Sequence, residues 1–159
     1  MKKKTKKTKA VATKKKPGRV PKQNNPAAGL KARLDAEFSA AVASAKTYVE
    51  NPRRLRALFD EAVKEAASMP RGPFGENWPY FHAMLRLIRC YADGDYRAIP
   101  ESTLVVIVAA IIFVVNPLDV IPDALPVLGY LDDATVISLA VKRSRDALDD
   151  FMSWENRSH

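Results

Sequence analysis

Between about residues 30 and 69, hydrophobic and polar positions alternate with helical spacing. From about Leu30 to Val49, apolar residues recur every three or four positions, which places them on one face of a helix. A second stripe of the same kind follows Asn51-Pro52 and stops before Pro70. Asparagine is a favoured N-cap and proline suits the first helical position. The pattern therefore predicts two amphipathic helices, joined at Asn51 and followed by a loop.

A third amphipathic helix is predicted over roughly 78–92. Trp78, Phe81, Leu85 and Ile88 form its apolar stripe, and Asp93-Gly94 is typical of a helix end. A fourth segment, about 101–115, is different, because residues 104–115 are twelve uninterrupted apolar positions. Eight of the twelve are β-branched and would also suit a buried strand, but the length favours a helix and no other segment alternates as a partner strand would.

The apolar segment leads into a turn rich in proline and aspartate, and then into a last predicted helix. Asp132 or Asp133 is positioned to cap this helix, whose apolar stripe includes Val136, Ile137 and Leu148. The fold class predicted is all-α: a small helical bundle with an apolar helical hairpin over 101–141.

Charge changes the interpretation of the N-terminus. Residues 1–29 carry eleven basic side chains and no acidic one, whereas the remaining residues carry 15 basic and 18 acidic side chains. With little apolar surface to bury, this Lys-rich tail is predicted to be disordered. The predicted organisation is a basic tail over 1–29 and a helical domain over 30–159. The basic residues of the tail are Lys2, Lys3, Lys4, Lys6, Lys7, Lys9, Lys14, Lys15, Lys16, Arg19 and Lys22.

A tail of this charge is expected to attract polyanions, either anionic lipid or nucleic acid. Binding to nucleic acid would be non-specific and sensitive to salt. The tail has no aromatic residue that could stack on a base, so sequence reading is not expected. The other interpretation is a solubilising extension without a dedicated partner. One cysteine, Cys90, excludes an internal disulfide.

The turn carries a resemblance to a known family. NPLDVIPDALPVLGYLDD is similar to the core motif of the YkvA-like family, a bacterial domain of unknown function with an apolar helix, a P-x-D-x-I-P-D turn and a following G-x-x-D-D. The matching residues are Pro117, Asp119, Ile121, Pro122, Asp123, Gly129, Asp132 and Asp133. The resemblance covers roughly 78–145, including the lead-in GDYRAIP at 94–100. It implies a helical, membrane-associated and commonly multi-pass protein, with no established activity.

Residue counting argues against a simple membrane span. Twelve apolar residues rise about 18 Å, whereas the hydrocarbon core is about 30 Å thick. A hairpin that dips into the bilayer is the alternative, although aspartates at its tip are costly unless they are paired or hydrated. Basic residues flank both arms, so both ends are expected on the cytoplasmic side. They are Arg86, Arg89 and Arg97 before the first arm, and Lys142, Arg143 and Arg145 after the second.

The aspartates of the turn are the only group that invites a catalytic or metal-binding interpretation. Clustered carboxylates bind Mg²⁺ or Ca²⁺, but the spacing is not that of an EF-hand. Helix capping, or pairing with Arg86, Arg89 or Arg97, explains the same residues. No catalytic residue, cofactor, metal site or small-molecule substrate is predicted.

The leading hypothesis is a non-catalytic, structural or interaction protein on the cytoplasmic face of the membrane, attached through the 101–141 hairpin. The alternative is a soluble helical module whose tail binds nucleic acid and whose 104–115 segment is the core helix. A metal-dependent enzyme that uses the aspartates is the third hypothesis.

Overall fold

The computed structural model describes residues 26–115 and 126–158, and within these ranges it contains helices and no strand. The predicted all-α class is confirmed for this part of the chain. The helices are α1 (Pro26–Val49), α2 (Pro52–Ala67), α3 (Trp78–Asp93), α4 (Glu101–Val115) and α5 (Pro126–Ser158), with a short 3₁₀ helix at Gly72–Asn77. The basic tail and the 116–125 connection lie outside the described residues.

The chain divides into two units, Met1–Asp35 and Ala36–His159. In the first unit the described residues are the opening turns of α1, where Lys31 Nζ lies 3.0 Å from Asp35 Oδ2. The second unit holds the rest of α1 and the other four helices. The division between tail and domain at residue 29 stays a prediction.

Local signals in the sequence determine where α2 begins and α3 ends. Asn51 caps α2 as predicted: its Oδ1 accepts a hydrogen bond from the N–H of Arg54 at 3.2 Å, and Pro52 occupies the first helical position. At the end of α3, Gly94 has φ 84°, in the left-handed region that favours glycine. This turn reverses the chain between α3 and α4.

Long-range contacts give the helix directions. Arg56, near the start of α2, pairs with Asp93 at the end of α3, so these two helices are antiparallel. Tyr80 meets Asp149 and Arg86 meets Glu155, so α3 and α5 run in the same direction. The helix between them in sequence, α4, packs against α2, α3 and α5.

The core of the second unit lies around α4. Its largest fully buried side chains come from α2, α3, α4 and α5. They are Leu55, Phe81, Met84, Leu87, Ile88, Leu104, Ile107, Val108, Ile111, Ile137, Leu148 and Phe151.

The start of α5 differs from the prediction. The helix begins at Pro126, so Asp132 and Asp133 lie inside it and not at its N-terminal cap. A proline in the first turn of a helix is tolerated, because its missing N–H has no partner inside the helix there, so Pro126 is compatible with helix from this residue on. Similarly, α1 begins at Pro26, a few residues before Leu30.

Candidate functional site: the α4–α5 hairpin

The apolar helix α4 is covered on nearly every face. Ten of its fifteen residues, Leu104, Val105 and Ile107 through Val114, are buried. A helix that is apolar all round is typical of a central core helix or of a membrane helix. Among the described residues, α2, α3 and α5 provide its cover.

Lys and Arg side chains lie beside the N-terminal end of α4. Lys142 and Arg143 of α5 line a surface groove of about 320 Å³ together with Pro100 and Thr103. Arg97 precedes α4 in sequence, and its guanidinium lies 4.3 Å from the centre of the Tyr91 ring. The structure therefore places cations from before the first arm and from the second arm beside this end of the helix.

The other predicted flanking cations have partners within the bundle. Arg86 makes a two-pronged pair in which Nε and Nη2 donate to Oε2 and Oε1 of Glu155 at 2.8 and 3.0 Å. Arg89 lies 3.8 Å from an Asp93 oxygen. Arg145 lies over the Tyr80 ring at 4.6 Å. Sequence reasoning did not find the Glu155 partner, because the two residues are 69 positions apart and no local pattern connects them.

The Tyr80 hydroxyl adds a further contact between α3 and α5. It donates a hydrogen bond to Asp149 Oδ1 at 2.7 Å and accepts one from Arg145 Nη1 at 3.4 Å. The bond to Asp149 raises the pKa of Tyr80, because removing the phenolic proton would abolish it. Sequence reasoning assigned no role to Tyr80.

The turn motif is described only in part. Four of its residues lie in the segment outside the described ranges: Pro117, Asp119, Pro122 and Asp123. Gly129 and Asp132 lie in α5, and Asp133 is buried, with 9% of its surface exposed. The predicted capping of α5 by Asp132 or Asp133 is wrong, because both lie inside the helix, whereas the roles predicted for Asp119 and Asp123 and the pairing with arginine stay predictions.

Within residues 26–115 and 126–158, no group of three His, Cys, Asp or Glu side chains is arranged to hold a metal ion. His82 packs edge-on against Trp78, with ring centres 4.8 Å apart, and its Nε2 is buried without a hydrogen-bond partner. Burial, and then the charges of Arg86 and Arg71, lower the pKa of His82. Burial also raises the pKa of the Cys90 thiol, which disfavours a reactive thiolate there.

None of the helices in the described ranges combines the length and the hydrophobicity needed to cross a membrane. The finding agrees with the residue count for α4. At 1.5 Å per residue, its fifteen residues rise about 22 Å, less than the roughly 30 Å of hydrocarbon.

One of the comparisons with known proteins identifies the same segment. Residues 103–139 match a protein family of unknown function, DUF1232. The chain is 36% identical over 69 residues to the uncharacterized membrane protein YkvA of Bacillus subtilis strain 168. This alignment covers 43% of the chain and 65% of the Bacillus protein. No solved structure matches the chain. The YkvA-like resemblance of the turn is thus confirmed as a resemblance, since residues 103–139 match the DUF1232 family model and the chain is similar to YkvA.

Proposed function

We propose that this protein is a membrane-associated helical bundle with a structural or interaction role, which meets the bilayer through its 101–141 hairpin. The observation that carries the proposal is α4 itself, a helix without a polar face that is joined to α5 as one arm of a hairpin. The similarity of the chain to a Bacillus membrane protein, 36% identity over 69 residues, supports the same conclusion.

The charges around the hairpin support an orientation. Arg97, Lys142 and Arg143 lie beside the N-terminal end of α4, where lipid headgroups would meet them if the opposite end of the hairpin entered the bilayer. The two grooves that these residues line also contain carboxylates, Asp146 and Asp150 in one and Glu50 and Glu101 in the other. The positive-inside rule counts Lys and Arg and not net charge, so this end would stay on the cytoplasmic side. Because α4 rises only about 22 Å, the hairpin enters one leaflet and part of the other instead of crossing both as a regular span.

The Lys-rich tail would reinforce the attachment. Each Lys or Arg near an anionic surface contributes about 1 kcal/mol, and this attraction falls off within a Debye length. The tail would therefore concentrate the protein at anionic membranes, while the hairpin provides the contact that salt does not remove.

A second candidate function is a soluble helical module whose tail binds nucleic acid. The observation that favours it is the cover of α4, since ten buried residues need no lipid to explain their hydrophobicity. In this case the tail alone would contact the partner, through a non-specific and salt-sensitive attraction.

Flotation of the full chain with vesicles, followed by carbonate washing, tests the proposal. Carbonate removes protein that is held by charge alone, so a resistant fraction reports contact between the hairpin and the hydrocarbon. We expect a resistant fraction that persists in a variant lacking residues 1–29. Complete recovery as a monodisperse soluble species, with retention on DNA that is lost along with the tail, would favour the second candidate instead.

A further inference from the structure

The bundle has an internal boundary along which the α4–α5 hairpin must separate before α4 can contact lipid. On one side lie α2 and α3, held together by the Arg56–Asp93 pair at 2.7 Å. On the other side lie α4 and α5, which are neighbours in the bundle. For α4 to exchange protein cover for lipid, the α4–α5 hairpin has to separate from the α2–α3 pair.

Polar contacts cross this boundary at the surface, between α3 and α5. Arg86 binds Glu155 through two hydrogen bonds, and Tyr80 binds Asp149 through one of 2.7 Å. The side chains of Arg86 and Glu155 are 47% and 20% exposed. Water can therefore reach these groups, and opening them leaves no charge buried without a partner.

The contacts of α4 with α2 and α3 have a different character. The α4 residues buried at this boundary are aliphatic or aromatic and have no directional bonds to break. Their cost of separation in water comes from exposing apolar surface, which a bilayer would cover again. At the membrane, the polar contacts between α3 and α5 are thus the part of the boundary that lipid does not replace.

We propose that the Arg86–Glu155 and Tyr80–Asp149 contacts form a latch that holds the α4–α5 hairpin closed against α3, and that its release lets α4 meet lipid. This inference rests on the proposed membrane function. It adds a closed form, in which the bundle covers α4, and an open form, in which the bilayer does. The latch thereby governs how much of the protein is inserted.

The Arg56–Asp93 and Arg89–Asp93 ion pairs provide a matched control. They are also surface contacts of α3, at 2.7 and 3.8 Å, but they join groups within the α2–α3 pair and should survive separation of the hairpin. The test compares two double variants of the full chain, Tyr80→Phe with Arg86→Gln and Arg56→Gln with Arg89→Gln. Each is mixed with phosphatidylcholine vesicles that contain phosphatidylserine, and the carbonate-resistant fraction is measured.

We expect the latch variant to raise the ratio of inserted to free protein about tenfold. The reason is that each of the two surface contacts it loses should change this ratio about three-fold. The control variant should stay near wild type. Exchanging the charges, Arg86→Glu with Glu155→Arg, should return insertion toward the wild-type level because it restores an ion pair at the same place. Circular dichroism of each variant before mixing verifies that the helices are intact.

The possible outcomes separate the latch from the membrane function. Equal insertion of wild type and latch variant would overturn the latch and leave the membrane function standing. An equal rise in both double variants would also overturn it, since general loosening would then be the cause. If neither wild type nor any variant resists carbonate, both proposals fail.

Discussion

Helices α2 and α4 have similar lengths and lie in contact, yet they differ in how their apolar residues are arranged. In α2, four of sixteen residues are buried, all on one stripe: Leu55, Leu58, Ala62 and Ala66. In α4, ten of fifteen are buried, and the helix has no polar stripe at all. The difference follows from position, because α2 has one face toward water whereas α4 has protein around it.

The comparison shows what hydrophobic patterning can and cannot decide. An amphipathic helix such as α2 specifies which face meets the core. A uniformly apolar helix such as α4 specifies only that it avoids water, and both a core and a bilayer satisfy that requirement. The choice between them depends on how firmly the neighbours of α4 are held.

The largest predicted effect is on the free energy of unfolding, when a buried position of α4 is compared with an exposed position of α2. Ile107 is fully buried, so Ile107→Ala should lower the free energy of unfolding by about 3 kcal/mol, from lost burial and the resulting cavity. Val63 is 43% exposed, and Val63→Ala should change it by less than about 0.5 kcal/mol. Urea denaturation of the two variants measures both values.

Similar losses at the two positions would mean that α4 is not covered by protein in solution. The comparison between the helices would then collapse, and the closed form required by the proposed latch would be absent. A small loss at Ile107 would have the same meaning, since a position already in contact with water or lipid leaves no cavity.

Sequence reasoning recovered the parts of the fold that are set by local chemistry. The Asn51-Pro52 start of α2, the Gly94 end of α3 and the limits of α4 each follow from residues within one or two turns. The start of α5 was predicted too late, because three prolines and four aspartates offered several competing helix starts. The structure already has helix from Pro126 on.

The candidate site was predicted only where it depends on neighbours in sequence. The apolar arm and its flanking cations were recognised from composition. The Arg86–Glu155 and Tyr80–Asp149 contacts were not, because each joins residues 69 positions apart. Such pairs depend on the parallel alignment of α3 and α5, which requires the tertiary fold.

A smaller predicted effect concerns how α2 begins. The Asn51 side chain satisfies the N–H of Arg54, so Asn51→Ala should cost about 1 kcal/mol of unfolding free energy. Asn51→Ser, which keeps an oxygen able to accept this bond, should recover most of the loss. Urea denaturation measures both. Equal losses for the two variants would mean that the cap does not stabilise α2, and that packing against α3 and α4 alone holds it.

The smallest predicted effect concerns His82 on α3, the helix that contacts both α2 and α4. Its pKa is lowered in the folded state, chiefly by burial and then by the charges of Arg86 and Arg71. The unfolded chain therefore binds a proton more tightly than the folded one. Above the pKa of the unfolded chain, about 6.5, His82 is neutral in both states and does not reduce stability. As the pH drops below this value toward the lower pKa of the folded state, the unfolded chain takes up the proton first and the protein becomes less stable.

We therefore expect the melting temperature to fall between about pH 6.5 and pH 5, and to fall less in His82→Phe, which keeps an aromatic ring beside Trp78 without a titrating nitrogen. Subtracting one pH profile from the other isolates His82 from the carboxylates that titrate below this range. Parallel profiles would show that water reaches the ring in the folded protein. In that case the aromatic packing around Trp78 would not exclude solvent from the His82 ring.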